Sequence, residues 1–154
     1  MPRRFIIFYS WQSDLPNVTN RGFIERALEQ AIIDSTRGSQ MELEPVIDRD
    51  TVGVPGTPDI AATIFSKIET ADAFVADVSI INSSSPGRLT PNPNVLIELG
   101  YALKALGWER IILMFNDAFG TLEQLPFDLQ RKRVTTYTAR PEAENRAADR
   151  KVLA

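Results

Sequence analysis

The chain has 154 residues, which is enough for one compact domain with a substantial core. With 44% hydrophobic and 24% charged residues, its composition excludes the collagen-like, disordered and membrane-embedded classes. The net charge is −3 and the one basic run is Arg131-Lys132-Arg133, so we expect no nucleic-acid or membrane partner. We expect a single cytoplasmic domain over residues 1–154. The chain stops just past a predicted helix, which is compatible with the first domain of a longer protein.

The sequence contains neither cysteine nor histidine. This excludes disulfides, thiolate nucleophiles and thiolate zinc sites, and it removes imidazole as a general base or metal ligand. An enzyme of this composition must work with carboxylates, hydroxyls, amides or backbone groups. We therefore expect no metal site.

Short apolar runs predict five β-strands. Residues 5–9 form a continuous aliphatic and aromatic run, which is typical of a strand buried on both faces. The second run contains Pro45, which favours an edge position because proline cannot donate a ladder hydrogen bond. The predicted strands are 5–9, 43–47, 73–78, 110–115 and 134–138.

Segments with helical periodicity alternate with these strands, and a last one, 141–153, follows them. Three of these helices start at typical capping residues. The predicted caps are Thr19 or Asn20, then Thr57 followed by Pro58, then Asn92 followed by Pro93. Gly38 and Gly107 lie just beyond the predicted ends of the first and third helices.

Strands that alternate with helices imply right-handed crossovers and a parallel sheet covered on both faces. We predict an α/β, flavodoxin-like three-layer sandwich with five parallel strands in the order 2-1-3-4-5. In such a sheet the chain switches direction between strands one and three. Ligands bind there, beyond the carboxyl ends of the strands.

Glu98 is the one acid in an otherwise apolar stretch of the third helix, residues 95–103. A carboxylate buried without a partner is costly, and its helical neighbours Asn94 and Tyr101 carry no positive charge. One interpretation places Glu98 at the helix rim, solvated or paired with Arg88 or a lysine. The other is a catalytic carboxylate in the switch-point crevice.

Further polar and aromatic residues come from segments that should meet Glu98 at this crevice. Trp11 has two interpretations of equal weight, ring stacking on a substrate and packing on the edge of the core. Asp77 could also cap the turn after the third strand. The predicted group consists of Ser10, Trp11, Gln12, Asp14, Asp77, Asn92 and Asn94.

Four segments resemble Toll/interleukin receptor (TIR) domains. Residues 9–14, Tyr-Ser-Trp-Gln-Ser-Asp, resemble their opening box, and residues 48–56 are similar to the loop after their second strand. Residues 92–102, Asn-Pro-Asn-Val-Leu-Ile-Glu-Leu-Gly-Tyr-Ala, resemble the third helix of prokaryotic TIR-like domains, whose glutamate cleaves NAD. Residues 125–129, followed by Arg133 and Tyr137, are similar to the end of the same group.

This resemblance implies a flavodoxin-like fold, NAD as a substrate rather than a bound cofactor, and a role in bacterial anti-phage defence. It assigns Glu98 to the catalytic position, and residues 10–14 and the loop from Arg49 to Gly56 to the border of the pocket. It also implies self-association through TIR contacts and a sensor domain or partner that triggers activity. Several TIR enzymes have an aromatic residue four positions before the glutamate, where this chain has Asn94.

The expected chemistry also fits the residues present. Cleavage of a ribosyl N-glycosidic bond passes through an oxocarbenium-like state that one carboxylate can stabilise. We therefore predict an NAD glycohydrolase or cyclase. The alternatives are an enzyme similar to nucleoside deoxyribosyltransferases, which also use a glutamate, and a non-catalytic TIR adaptor.

Overall fold

The computed structural model describes residues 3–38, 43–48, 55–56, 59–142 and 146–153. Its centre is a five-stranded sheet in the order β2-β1-β3-β4-β5, with all neighbouring strands parallel. The predicted flavodoxin-like topology is confirmed. The strands are β1 (Arg3–Ser10), β2 (Leu43–Asp48), β3 (Ala73–Asp77), β4 (Ile111–Asn116) and β5 (Val134–Tyr137).

The helices cover both faces of the sheet. They are α1 (Arg21–Thr36), α2 (Ile60–Thr70), α3 (Pro93–Leu106), α4 (Phe127–Gln130) and α5 (Arg146–Leu153). Apolar side chains of α2 and α3 pack on one face around Phe8 and Phe74. Those of α1 and α5 pack on the other face around Tyr9 and Val75. Consecutive strand residues therefore enter opposite cores, as the continuous apolar runs predict.

The start of α3 is formed as the sequence predicts. The Asn92 side chain accepts hydrogen bonds from the backbone N–H groups of Asn94 (2.8 Å) and Val95 (3.2 Å). Pro93 occupies the first turn, where its missing N–H costs nothing. Gly107 ends the helix with a φ of 79°, a conformation that favours glycine. These two caps determine the first and last residues of α3 and therefore which of its side chains lie beside the sheet edge.

Other helix boundaries differ from the prediction. Helix α2 begins at Ile60 and is capped by Asp59, which accepts from the Ala62 N–H at 3.0 Å, while the predicted cap Thr57 and Pro58 lie outside the described residues. The terminal helix begins at Arg146 rather than at residue 141. The single-turn α4 was not predicted, because four residues are too few to show helical periodicity. Within the described residues, no helix is long and apolar enough to cross a membrane.

Candidate functional site

A cleft of about 530 Å³ opens at the carboxyl edge of the sheet. The loop after β1 and the first turns of α3 form its polar side, and α2 forms its apolar side. This is the switch point between β1 and β3, where the topology predicts a ligand site. The lining residues are Trp11, Gln12, Ser13, Ile60, Ala61, Ile64, Phe65, Asn92, Asn94, Ile97 and Glu98.

Glu98 is half-buried at the cleft wall, and its carboxylate accepts a hydrogen bond of 2.5 Å from the Ser10 hydroxyl. Ser10 ends β1 and is itself only 1% exposed, so it holds the carboxylate from inside the fold. A donor to a carboxylate gives a short, charge-assisted bond that fixes its direction. The apolar stretch around Glu98 is not wholly buried, since Ile97 is exposed beside it.

Asn92 and Asp14 join the two polar segments at the rim of the cleft. The Asn92 amide donates to the Asp14 carboxylate at 2.7 Å, while its oxygen caps α3. Asp14 is exposed and accepts this bond without itself lining the cleft. Asn94, one turn before Glu98, is exposed and lines the cleft directly. Of the predicted polar group, Asn94 is therefore placed to meet a ligand, whereas the Asn92 amide is committed to Asp14 and to the cap of α3.

Trp11 lines the cleft and also packs against the edge of the core, so both interpretations of this residue describe part of its surroundings. The guanidinium of Arg21 lies 3.5 Å from the centre of its indole ring. This cation–π contact occupies one face of the ring. A substrate ring can reach only the other face or the edge of Trp11.

Asp77 has a structural role, and the prediction that it binds substrate is not supported by its position. It is fully buried, does not line the cleft, and accepts from the amides of Gln12 (2.9 Å) and Asn20 (3.0 Å) and from the Ser79 N–H (3.1 Å). Gln12 lines the cleft, but its amide is committed to Asp77 and to the Leu15 N–H. Both residues stabilise the loop that carries Trp11.

A buried polar network extends from Asp77 to the end of β5. The Asn116 amide donates to the carbonyls of Ala139 and Thr19, and the Tyr137 hydroxyl donates to the Thr19 carbonyl at 2.7 Å. Burial, together with the nearby charge of Asp77, raises the pKa of Tyr137 far above its ordinary value. Tyr137 thus remains a neutral donor, and the network ties the loop after β1 to the ends of three other strands.

Helix α2 was not among the segments predicted to meet at the site, yet Ile60, Ala61, Ile64 and Phe65 line the cleft. Ile60 is 64% exposed and Ile97 of α3 is 61% exposed. The topology held a signal for this, because α2 starts after β2 and therefore at the same edge of the sheet. Arg49 lies outside the described residues, as does most of the predicted loop 49–56.

The arrangement places one anchored carboxylate between amide side chains and an apolar wall. Such a carboxylate can stabilise positive charge that develops on a bound sugar. The apolar wall suits the flat ring of a heterocycle. Among the described residues, no group of three or more acidic side chains could hold a metal ion.

No protein-family model matches this sequence, and no curated protein matches it. Among solved structures, the chain is similar to a 2-desoxiribosyltransferase from Leishmania mexicana, with 23% identity and a TM-score of 0.42. The similarity covers 73% of this chain and 65% of that one, so this chain spans less than two thirds of its length. A likeness of this degree gives no information about substrate or reaction.

Proposed function

We propose that this protein is an enzyme that cleaves the N-glycosidic bond between a heterocycle and ribose, with NAD as its first candidate substrate. The observation that carries the proposal is the Glu98 carboxylate, held by Ser10 at 2.5 Å on the wall of the cleft. A fixed carboxylate costs little reorganisation when charge develops beside it.

In the proposed reaction, the bond between the ribose anomeric carbon and the nicotinamide nitrogen breaks. The bonding electron pair goes to the nicotinamide, which leaves as a neutral molecule, so no general acid is needed. The ribosyl centre becomes cationic, and Glu98 stabilises or traps it. Water then supplies the new oxygen and yields ADP-ribose, or an internal nucleophile of the substrate yields a cyclic product.

The resemblance of residues 9–14 and 92–102 to TIR domains supports NAD as the substrate. It also supports a role in anti-phage defence and self-association as part of the same proposal. Because self-association depends on concentration, we expect NAD cleavage per molecule to rise with protein concentration. A dilution series with sedimentation analysis tests this. Flat specific activity from a monomer would contradict it.

The second candidate is transfer of deoxyribose between nucleobases, and one feature of the cleft favours it. Glu98 is the only charged side chain among the described lining residues. A neutral nucleoside can bind without a cationic side chain, whereas the diphosphate of NAD would need a cationic side chain at the rim of the cleft. Both candidates use Glu98 at the same sugar carbon.

Product analysis separates the candidates. Purified protein at high concentration is incubated with NAD, and in parallel with 2′-deoxyinosine plus adenine. Free nicotinamide indicates the first function, and 2′-deoxyadenosine indicates the second. Glu98→Gln is the matched control and should form neither. If neither substrate reacts at any protein concentration, the enzymatic proposal is wrong and the non-catalytic adaptor is favoured.

A further inference from the structure

The apolar wall of the cleft contains an aromatic side chain, Phe65, that stacks on a second aromatic ring. Phe65 of α2 is half-buried and lines the cleft. Its ring is stacked on that of Tyr101 of α3, with centroids 4.3 Å apart and planes 18° apart. Aromatic pairs at this distance attract each other beyond the effect of area burial. The stacking therefore restricts the orientation of the Phe65 ring on the cleft wall.

Tyr101 connects this ring to the candidate catalytic acid. It follows Glu98 by three positions on α3, so the two side chains project from neighbouring positions on the helix. The Tyr101 hydroxyl also donates a hydrogen bond to Glu69, which lies one turn after Phe65 on α2. That bond to a carboxylate raises the pKa of Tyr101, so the hydroxyl remains a donor at neutral pH. Two contacts of one side chain thus join α2 to α3 beside Glu98.

We propose that Phe65 determines the leaving-group specificity of the cleft, and that Tyr101 is a positioning residue that fixes the Phe65 ring relative to Glu98. This inference rests on the proposed function and names the residue that recognises the leaving group. A flat ring on the apolar wall selects glycosides with a planar heteroaromatic leaving group, such as nicotinamide or a nucleobase. Glycosides that release a second sugar or an aliphatic alcohol cannot stack there and are excluded as substrates.

The first test measures binding of the free bases and does not need catalysis. In a Trp108→Phe background, Trp11 is the remaining tryptophan and reports from the cleft itself. We expect saturable quenching of its fluorescence by nicotinamide or adenine. Phe65→Leu should weaken that affinity by roughly 3- to 10-fold, the size of one lost aromatic contact. Phe65→Met is a second variant in case the leucine variant folds poorly.

Phe127→Leu is the matched control. Phe127 is 63% exposed, lies on α4 and does not line the cleft. Its replacement should leave the affinity for the base unchanged. Equal affinities in Phe65→Leu, Phe65→Met and Phe127→Leu would overturn the assignment of Phe65. Absence of saturable quenching by either base in the parent would overturn it as well.

Tyr101 is tested by a conservative pair. Tyr101→Phe keeps the stacked ring and should bind the base within about twofold of the parent, whereas Tyr101→Leu should lose as much affinity as Phe65→Leu. Equal losses of base affinity in Tyr101→Phe and Tyr101→Leu would contradict the proposal that the Tyr101 ring positions Phe65 by stacking.

With a cleaved substrate, Phe65→Leu should raise KM several-fold and change kcat by less than about twofold. The two proposals fail separately. A protein that binds bases through Phe65 but cleaves nothing refutes only the proposed function. Cleavage with an unchanged KM in Phe65→Leu refutes only this inference.

Discussion

Replacement of Glu98 by glutamine should abolish the proposed reaction while the protein stays folded. The glutamine side chain has the same shape and can still accept the hydrogen bond from Ser10, but it has no charge to offer a cationic sugar. Loss of a preorganised electrostatic group costs about 3–4 kcal/mol of barrier, and each 1.4 kcal/mol is tenfold in rate. We therefore expect kcat to fall by at least about 100-fold, measured by release of the free base.

The stability of the Glu98 variants follows from the same bond. A hydrogen bond to a charged group contributes about 1.5–3 kcal/mol and one between neutral groups about 1 kcal/mol, so Glu98→Gln should lose about 1 kcal/mol. Relief of the partly desolvated charge offsets some of this loss. Glu98→Ala leaves the buried Ser10 hydroxyl without this acceptor and should lose about 1–2 kcal/mol more.

These values correspond to a decrease in Tm of about 2–4 °C per kcal/mol for a domain of this size. Thermal unfolding of parent, Glu98→Gln and Glu98→Ala measures them. If Glu98→Gln retains full turnover, the carboxylate is not catalytic. If Glu98→Gln fails to fold, the residue has a structural role and the argument from preorganisation is wrong.

Three further predictions concern the surroundings of the cleft. Trp11→Ala should raise KM several-fold because Trp11 lines the cleft. Trp108 lines a different cleft, so Trp108→Ala should affect stability alone. Equal KM values in the parent and Trp11→Ala would show that Trp11 only packs on the core. Asp77→Asn should lower the free energy of unfolding, measured in urea, by about 2–3 kcal/mol because it disrupts a buried hydrogen-bond network. The KM of the folded protein should not change, because Asp77 makes no contact with the substrate. A change in KM without a loss of stability would show that Asp77 belongs to the binding site. Tyr137→Phe should cost about 1 kcal/mol at neutral pH through the lost bond to Thr19. Burial raises the pKa of Tyr137 in the folded protein, so above about pH 10 the tyrosine ionises first in the unfolded chain and the free energy of unfolding of the parent falls with rising pH. In unfolding curves measured between about pH 8 and 11, the free energy of unfolding of Tyr137→Phe should fall less steeply with pH. An equal pH dependence in the two proteins would contradict the burial of Tyr137.

The sequence was enough to predict a parallel, flavodoxin-like α/β sheet and to single out Glu98, whose catalytic role stays a prediction. Short continuous apolar runs are typical of strands buried on both faces, and their alternation with helices permits few topologies. The Asn92-Pro93 start and the Gly107 end placed α3, because caps act through neighbouring backbone groups. Glu98 was identified because a single carboxylate in an apolar stretch of helix contradicts the local pattern.

Which side chains meet depends on contacts between distant parts of the chain. Ser10 and Glu98 are 88 positions apart, and no local pattern shows that one holds the other. Asp77 and Asn94 look equally polar in the sequence, but Asp77 is buried in a hydrogen-bond network with Gln12 while Asn94 is exposed and lines the cleft. Phe65 shares the helical period of core residues and packs against the core, yet its ring also lines the cleft. Periodicity specifies which face of a helix is apolar, whereas contacts between distant segments determine whether that face meets the core or a ligand.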